Sequence, residues 1–187
     1  SSGALYNSHA STGATASGNI TLAGATTIEN DGTGTLTLSG TINNAQALTI
    51  TNNSSGTVAL NGAVGGGTAL SSISTSGKIN IGANITTSGT QAYSGAVTLT
   101  TSPTLTTTSN TITFSSTVDS DSTTRSLTFG SGSGSVTFTG AVGGTNSLGT
   151  ITNIAGQTVT FSDAVTATTI ANYGTLLFNA TSAKTIS

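Results

Sequence analysis

The residues best equipped for chemistry lie close together in Asp119-Ser-Asp121, with Arg125 shortly after. If this stretch is a strand, the two carboxylates share one face, because side chains alternate along β backbone. Such a pair could divide the acid and base roles of polysaccharide cleavage, or hold a cation. A carbohydrate-active enzyme would gather both, with Asp163 and Arg125, around a groove. Asp-Ser-Asp-Ser is more typical of a turn, so we predict that the chain is not an enzyme and has no catalytic residue.

A second pair of carboxylates, Glu29 and Asp31, precedes Gly32-Thr-Gly34 in a stretch faintly similar to calcium-binding turns. The glycine- and aspartate-rich nonapeptide of calcium-binding repeat toxins does not recur, so we expect no metal site. The single histidine, His9, has no carboxylate near it in sequence. We expect a surface residue there rather than a member of a Ser-His-Asp triad, and we predict no cofactor.

The glycine clusters Gly65–Gly67 and Gly130–Gly134 lack the lysine and the following helix of phosphate-binding loops, so we predict turns at both. Asn-x-Ser/Thr triplets could accept glycans, although a chain this rich in Asn and Thr contains them by chance. They begin at Asn19, Asn53, Asn84 and Asn179.

Alternating threonines form two short rows, each of which would expose its hydroxyls on one face of a strand. The rows are Thr33, Thr35 and Thr37, and Thr104, Thr106 and Thr108. Flat, regular ranks of Thr-x-Thr form the ice-binding surface of some β-solenoids. The spacing between the two rows is irregular, which favours an ordinary solvated β surface and leaves ice binding as an alternative.

The composition excludes several classes of function. Charged residues make up 4% of the chain and the net charge is −2, so no basic cluster is available for nucleic acid or an anionic membrane. There is no cysteine, hence no disulfide and no thiolate zinc site. Hydrophobic residues make up 34% and aromatic residues 4%, which predicts a folded chain with a thin core.

The same features bear on where the protein acts. Absence of cysteine is compatible with the outside of a cell, and no apolar run is long enough to span a bilayer, so we predict no membrane insertion. The first residues lack the basic and apolar regions of a signal peptide, and the last ones fall in mid-pattern. We expect a piece of a longer chain.

Short strands must position all of these residues. Apolar-polar-apolar triplets recur from Ile20-Thr-Leu22 to Val159-Thr-Phe161, usually with Thr in the middle. This period-two pattern, in residues of high β propensity, predicts strands of about three to five residues. Gly, Asn and Ser between them predict turns, and no stretch has helical periodicity. Short strands and few aromatic residues favour a β-solenoid over a sandwich or barrel.

The triplets recur at intervals suited to one coil of a solenoid. Those that begin at Leu36, Val58, Ile79 and Val97 follow one another at nearly equal intervals. Each interval is roughly 20 residues, a period typical of solenoid repeats. We therefore predict an all-β chain that forms a right-handed parallel β-solenoid (β-helix) of roughly seven to nine coils. Residues 1–187 form one domain or a segment of a longer one, and residues 1–17 are irregular or contact an end.

One long phrase occurs twice, at positions 56–74 and 134–152, and the two copies align without any insertion. This internal duplication is typical of repeat proteins, and we expect the distance between the copies to span about four coils. Asn43, Asn52 and Asn61 are expected at equivalent corners, where their amides would stack in a ladder.

Several phrases resemble the repeats of very large bacterial surface proteins, the filamentous-haemagglutinin-like and autotransporter-type adhesins. They are Gly95–Thr100, Ile112–Val118 and Thr137–Gly144. The resemblance implies a β-solenoid passenger region, export to the cell surface, and a role in adhesion or matrix.

We therefore expect a structural, secreted or cell-surface rod or filament segment for adhesion, surface coating or matrix. It would associate with itself end to end and contact surface glycans or host receptors. The alternatives are an ice-binding or carbohydrate-binding module and a polysaccharide-degrading β-helix enzyme.

Overall fold

The computed structural model describes residues 4–8, 11–179 and 184–186, the last three by their backbone. These residues form short strands joined by turns, and none of them builds a helix with the length and apolarity that crossing a bilayer requires. In chain order the strands are β1 (Leu5–Asn7), β2 (Ala14–Ala16), β3 (Ile20–Thr21), β4 (Thr26–Asn30), β5 (Thr35–Leu38), β6 (Ile42–Asn43), β7 (Ala47–Asn52), β8 (Thr57–Leu60), β9 (Ser72–Ser76), β10 (Ile79–Ile81), β11 (Ile85–Thr86), β12 (Gln91–Tyr93), β13 (Val97–Leu99), β14 (Thr104–Thr106), β15 (Ile112–Phe114), β16 (Val118–Ser120), β17 (Leu127–Phe129), β18 (Val136–Phe138), β19 (Leu148–Asn153), β20 (Thr158–Phe161), β21 (Val165–Asn172), β22 (Thr175–Phe178) and β23 (Lys184–Ile186).

The strands belong to three parallel faces that the chain visits in turn. Within the described residues, the first sheet has the order β1-β4-β7-β9-β12-β15-β18-β20-β22. The second sheet is β2-β5-β8-β10-β13-β16, and the third is β11-β14-β17-β19-β21-β23. Single bridges extend the second face through Val142 and the third face through Val64 to the pair β3–β6. The molecule is thus a parallel β-solenoid of about eight coils, as predicted, while its right-handed winding stays a prediction.

The triplets that set the predicted coil length do stack on one another. Leu36 pairs with Val58, Val58 with Ile79, and Ile79 with Val97, all on the second sheet. Coil length nevertheless varies along the chain: the coil from Phe161 to Phe178 is short, and the coil from Ile50 to Thr75 is long. Turns absorb this variation, because the strands themselves must stay in register.

Residues 1–17, for which we expected irregular structure or contact with an end, contain two regular strands in their described part. β1 pairs with β4, and β2 pairs with β5.

The core is one narrow column of inward-facing side chains, with an aromatic ladder in its second half. Successive rings on the first sheet stack with centroid separations of 4.9, 4.7, 4.9 and 5.6 Å and interplanar angles of 12°, 4°, 7° and 17°. The first three separations match the spacing of adjacent strands, so ring stacking reinforces the backbone ladder there. The ladder consists of Tyr93, Phe114, Phe138, Phe161 and Phe178.

The hydroxyl group of Tyr93, the first ring of this ladder, has its hydrogen-bond partner inside the core. The buried Tyr93 hydroxyl donates to Gln91 Oε1 at 2.9 Å, and Gln91 Nε2 donates to the Thr106 carbonyl at 2.8 Å. Burial raises the pKa of the Tyr93 phenol.

A second ladder, formed by asparagine amides, lies at the ends of the first-sheet strands in the first three coils. Asn7 Nδ2 donates to Asn30 Oδ1 at 2.7 Å, and Asn30 Nδ2 donates to Asn52 Oδ1 at 3.2 Å. Asn52 Nδ2 then donates to the carbonyls of Gly56 (2.8 Å) and Lys78 (3.1 Å). These buried amides satisfy the carbonyls of the turn that follows each strand.

The amide ladder was predicted correctly in kind but with the wrong members. Asn52 belongs to it, whereas Asn43 lies on the third face and Asn61 follows β8 on the second. The sequence interval between one of these three residues and the next is less than half the length of a coil. They therefore fall on successive faces instead of stacking.

We predict that Asn52→Ala destabilises the fold, because it removes the donor to two turn carbonyls and one of the acceptors of Asn30. Each buried polar group left unpaired costs about 1–3 kcal/mol, so the free energy of unfolding in urea should fall by about 2 kcal/mol or more. The control is Asn80→Ala, on an outward position of β10, with an expected change below about 0.5 kcal/mol. Equal losses in both variants would contradict the ladder.

Glycines bring the coils into close contact at the corner between the second and third faces. A Cβ added at Gly40 would collide with the Gly18 carbonyl oxygen, and one at Gly62 would collide with that of Gly40. The corner backbones are stacked too closely for any side chain.

Gly62→Ala is therefore expected to lower the free energy of unfolding by about 1–3 kcal/mol through overpacking against backbone that cannot move independently. Gly24→Ala is the matched control, since a Cβ there meets nothing within 4 Å. Melting curves recorded by circular dichroism compare the two variants. If G62A were as stable as G24A, the corner would have room for a methyl group.

The duplicated phrase occupies different faces in its two copies. Val58 lies on the second sheet, but its counterpart Val136 lies on the first; Ile73 lies on the first sheet, but Ile151 lies on the third. The distance between the copies thus corresponds to three coils and two faces, which agrees with the expected value of about four coils but is not a whole number of them. All three faces demand the same alternation of inward and outward residues, so a phrase can serve on any of them.

Candidate functional site

The two copies of the duplicated phrase build the same turn, and this turn explains Asp119. Asn43 Oδ1 accepts the backbone N–H groups of Gly67 (2.9 Å) and Thr68 (3.3 Å) from the next coil. Asp119 Oδ1 accepts those of Thr145 and Asn146, at 2.8 and 3.3 Å. Each acceptor directly follows an inward apolar residue one coil below the turn.

A glycine begins this turn in both copies. Gly65 (φ 70°) and Gly143 (φ 67°) have left-handed backbone, which glycine adopts without strain. The sequence therefore predicted a turn correctly at Gly65–Gly67, but it did not reveal that a polar side chain one coil earlier holds the turn in place.

Asp121 is held separately, by Arg125. Arg125 Nε and Nη2 donate to Asp121 Oδ1 and Oδ2, both at 2.9 Å, and the Thr123 N–H donates to Oδ1 at 2.8 Å. The hydrogen bond from Arg125 lowers the pKa of the Asp121 carboxyl and raises the pKa of the Arg125 guanidinium. The turn predicted for Asp-Ser-Asp-Ser was wrong for its first two residues, because Asp119 and Ser120 end strand β16. The chain bends only after Asp121, whose carboxylate closes the bend.

Asp163 does not join Asp119 and Asp121. It lies just before Val165, and Val165 stacks over Val118 with Val142 between them, so two coils, about 10 Å, separate Asp163 from Asp119. The Ala164 N–H donates to its Oδ1 at 2.7 Å. The described residues contain no group of three or more His, Cys, Asp or Glu side chains placed to hold a metal ion.

Glu29 and Asp31 do converge, on one amide. Asn53 Nδ2 donates to Glu29 Oε1 and to Asp31 Oδ1, both at 2.9 Å, and the Tyr6 hydroxyl donates to Asp31 Oδ2 at 2.9 Å. The hydrogen bond to Asp31 raises the pKa of the Tyr6 phenol. The cluster ties three successive coils together on the outer surface of the first sheet.

The threonine rows singled out in the sequence extend from coil to coil in one column each: Thr35 stacks on Thr57, and Thr104 stacks on Thr128. Thr35 and Thr37 face outward on the second sheet, but Ala59 follows Thr37 in the next coil. Thr104 and Thr106 lie on the third sheet, where Gly130 follows Thr106. Each row therefore loses one of its threonine columns in the next coil, and neither continues as a regular two-column array.

A regular array occurs elsewhere, on the outer surface of the first sheet, and we call it the hydroxyl lattice. Five consecutive strands, β9, β12, β15, β18 and β20, align their outward positions in three columns. Fourteen of these fifteen positions are Ser or Thr, and Ala92 is the exception. The rows are Ser72-Ser74-Ser76, Thr90-Ala92-Ser94, Thr111-Thr113-Ser115, Ser135-Thr137-Thr139 and Thr158-Thr160-Ser162.

Sequence reasoning missed the lattice, although a signal for it exists. Thr111–Ser115, Ser135–Thr139 and Thr158–Ser162 share the pattern hydroxyl, β-branched, Thr, Phe, hydroxyl, and each copy follows the previous one after a single coil. The Phe sets the register, because it fills the aromatic column beneath each row.

A cavity of about 350 Å³ lies in the first coil, lined mainly by apolar side chains that include Leu5, Ala16, Ile20 and Ile28. It has room for an apolar group, and its lining within the described residues includes the Thr26 hydroxyl and the Asn19 amide but no ionisable side chain.

The remaining candidate residues are scattered over the surface. Asn19 Oδ1 accepts the Thr41 N–H at 3.0 Å, and Asn84 Oδ1 accepts the Thr104 N–H at 2.8 Å, so these two glycan-acceptor candidates also brace adjacent coils. Asn179 is exposed, and Gly130–Gly134 forms the predicted turn, with Gly132 at φ 89°. His9 lies outside the described residues.

These features define a class of protein, the three-faced parallel β-solenoid. No protein-family model, curated protein or solved structure matches the chain.

We predict that Asp119→Asn leaves stability nearly unchanged, because Asn43 performs the same task in the other copy of the turn. Asp119→Ala should lower the free energy of unfolding by about 0.5–1.5 kcal/mol, since two turn amides lose their acceptor. Urea denaturation of the two variants distinguishes them. If D119N were as destabilised as D119A, the charge of Asp119 would matter more than its geometry.

Proposed function

We propose that this chain is a structural β-solenoid, a stiff rod or filament segment that serves adhesion, surface coating or matrix. The observation that carries this proposal is the continuity of the three faces, whose strands stay in register through about eight coils around one core. Such a rod resists unfolding because each coil is hydrogen-bonded to the next on every face.

The arrangement of the charged residues supports a non-enzymatic function. Asp119 holds a turn, Asp121 pairs with Arg125, and Glu29 and Asp31 share an amide. A polysaccharide-degrading β-helix would need these carboxylates gathered around a groove, and each of them instead braces neighbouring backbone or side chains.

We further propose that the protein belongs with the filamentous-haemagglutinin-like and autotransporter-type adhesins and is exported to the surface of a bacterial cell. The solenoid fold, the neutral Thr/Ser/Asn surface and the repeated phrases support this. Immunogold labelling of intact source cells is expected to mark the outer surface or the surrounding matrix. Label confined to the cytoplasm of sectioned cells would refute it.

End-to-end association is part of the proposal. β1 and β22 are the two edge strands of the first sheet among the described residues, and Leu5 and Phe178 occupy the same inward column. A second copy placed on β22 would continue the backbone ladder and set its Leu5 against the exposed side of Phe178. Surface glycans or receptors would contact the sides of the rod, through its neutral, hydroxyl-rich surface.

Negative-stain electron microscopy of the full chain over a concentration series tests the assembly. We expect unbranched filaments one coil wide that lengthen with concentration. Phe178→Lys should leave short rods, because a charge in the inward column opposes stacking of another apolar coil. Leu177→Lys is the control: it lies in the same strand but faces outward, and its filaments should match those of the wild type. Short rods from the wild type at every concentration would refute end-to-end association.

A further inference from the structure

The hydroxyl lattice is more regular than an incidental polar surface. Its rows are separated by one coil, about 4.8 Å, and its columns by two residues along a strand, about 6.6 Å. The ladder continues through the outermost columns, since the Ile73, Gln91 and Ile112 amides donate to the carbonyls of Thr90, Thr111 and Ser135. The row spacing is thus fixed by backbone hydrogen bonds and the column spacing by the extended backbone, rather than by flexible side chains.

An aromatic ladder lies directly beneath four of the five lattice strands. Adjacent strands of ordinary sheets rotate by about 20–25° relative to each other, and flat sheets are typically stabilised by stacked side chains. Here the rings under β12, β15, β18 and β20 are within 12°, 4° and 7° of parallel and 4.7–4.9 Å apart. The ladder thus underlies four of the five lattice rows, and parallel stacking of its rings favours a flat surface there.

The chemistry of the lattice suits ordered water. A hydroxyl both donates and accepts, and each threonine adds a methyl group beside it. Among the described residues, no lattice hydroxyl hydrogen-bonds to another protein group, so its donor and acceptors face outward. None of the fifteen positions is charged or aromatic.

We propose that the hydroxyl lattice binds ice. Its hydroxyls would hold a first layer of water at the spacings of the lattice, close to those between oxygen atoms on a face of hexagonal ice, and the methyl groups would order the waters between them. That layer would then merge with the growing crystal. The proposal does not depend on the rod function, because one chain carries the whole surface.

An ice surface fits the lattice better than a polysaccharide does. Sugar-binding faces present aromatic rings for stacking and charged or amide groups that converge on particular hydroxyls, and the lattice positions offer neither. A repeating ligand that consists only of hydrogen-bond donors and acceptors matches fourteen nearly equivalent hydroxyls.

The test uses the full chain and two matched substitutions, T137K and T37K. Both put a lysine at an outward, half-buried strand position, the first in the central column of the lattice and the second on the second sheet. We expect the wild type and T37K to show thermal hysteresis and to be incorporated into a growing ice hemisphere. T137K should lose most of the hysteresis and be excluded from the ice.

Melting curves of both variants verify that they fold. If T137K does not fold, T160K, on the neighbouring strand, replaces it in the test. A wild-type chain with no hysteresis and full exclusion from ice would overturn the proposal, as would a folded T137K or T160K that behaves like the wild type. Sedimentation of the wild type with cellulose or chitin, combined with exclusion from ice, would overturn it in favour of a polysaccharide-binding face. Electron microscopy reports on rods independently, so failure of either proposal leaves the other measurable.

Discussion

The backbone hydrogen-bond ladder between successive coils is the constraint on which the rest of this structure depends. It places every strand residue over its counterpart one coil away, about 4.8 Å distant on all three faces. Side chains are therefore stacked whether or not they attract each other. The molecule stacks like residues that attract each other. Asn30 hydrogen-bonds to Asn52 at the ends of their strands, and Phe114 stacks on Phe138 in the core.

The same constraint explains why so few residues are charged. A charge on a strand would lie near its counterparts in the coils above and below, and like charges directly opposite are destabilising. Asp119 is tolerated because its neighbour in the ladder is Thr98 and because the next turn supplies two N–H donors. A neutral, hydroxyl-rich surface is thus the one that stacking favours, and the hydroxyl lattice is its most regular part.

Corners are more demanding than faces. A face accepts any alternation of apolar and polar residues, which is why the duplicated phrase can serve on different faces in its two copies. A corner requires particular chemistry: glycine where backbones touch, as at Gly40 and Gly62, and an Asn or Asp acceptor beneath the turn, as at Asn43 and Asp119. The duplication preserved the turn and its support even though the face changed.

Sequence alone determined what depends on local pattern. Alternation around Leu36, Val58, Ile79 and Val97 gave the all-β class, the coil length and the stacking of these four residues, because period two and near-constant spacing are local properties. The tertiary structure decided which residues of neighbouring coils stack on one another. Coils of unequal length shift register unpredictably, so the sequence could not place Asn52 over Asn30 or Thr137 over Thr113. Asp119 and Asp121 lie two residues apart, and for them we expected a turn rather than a catalytic pair. The sequence could not show what engages each carboxylate: the stacked coils supply the turn amides that engage the first, while Arg125 engages the second.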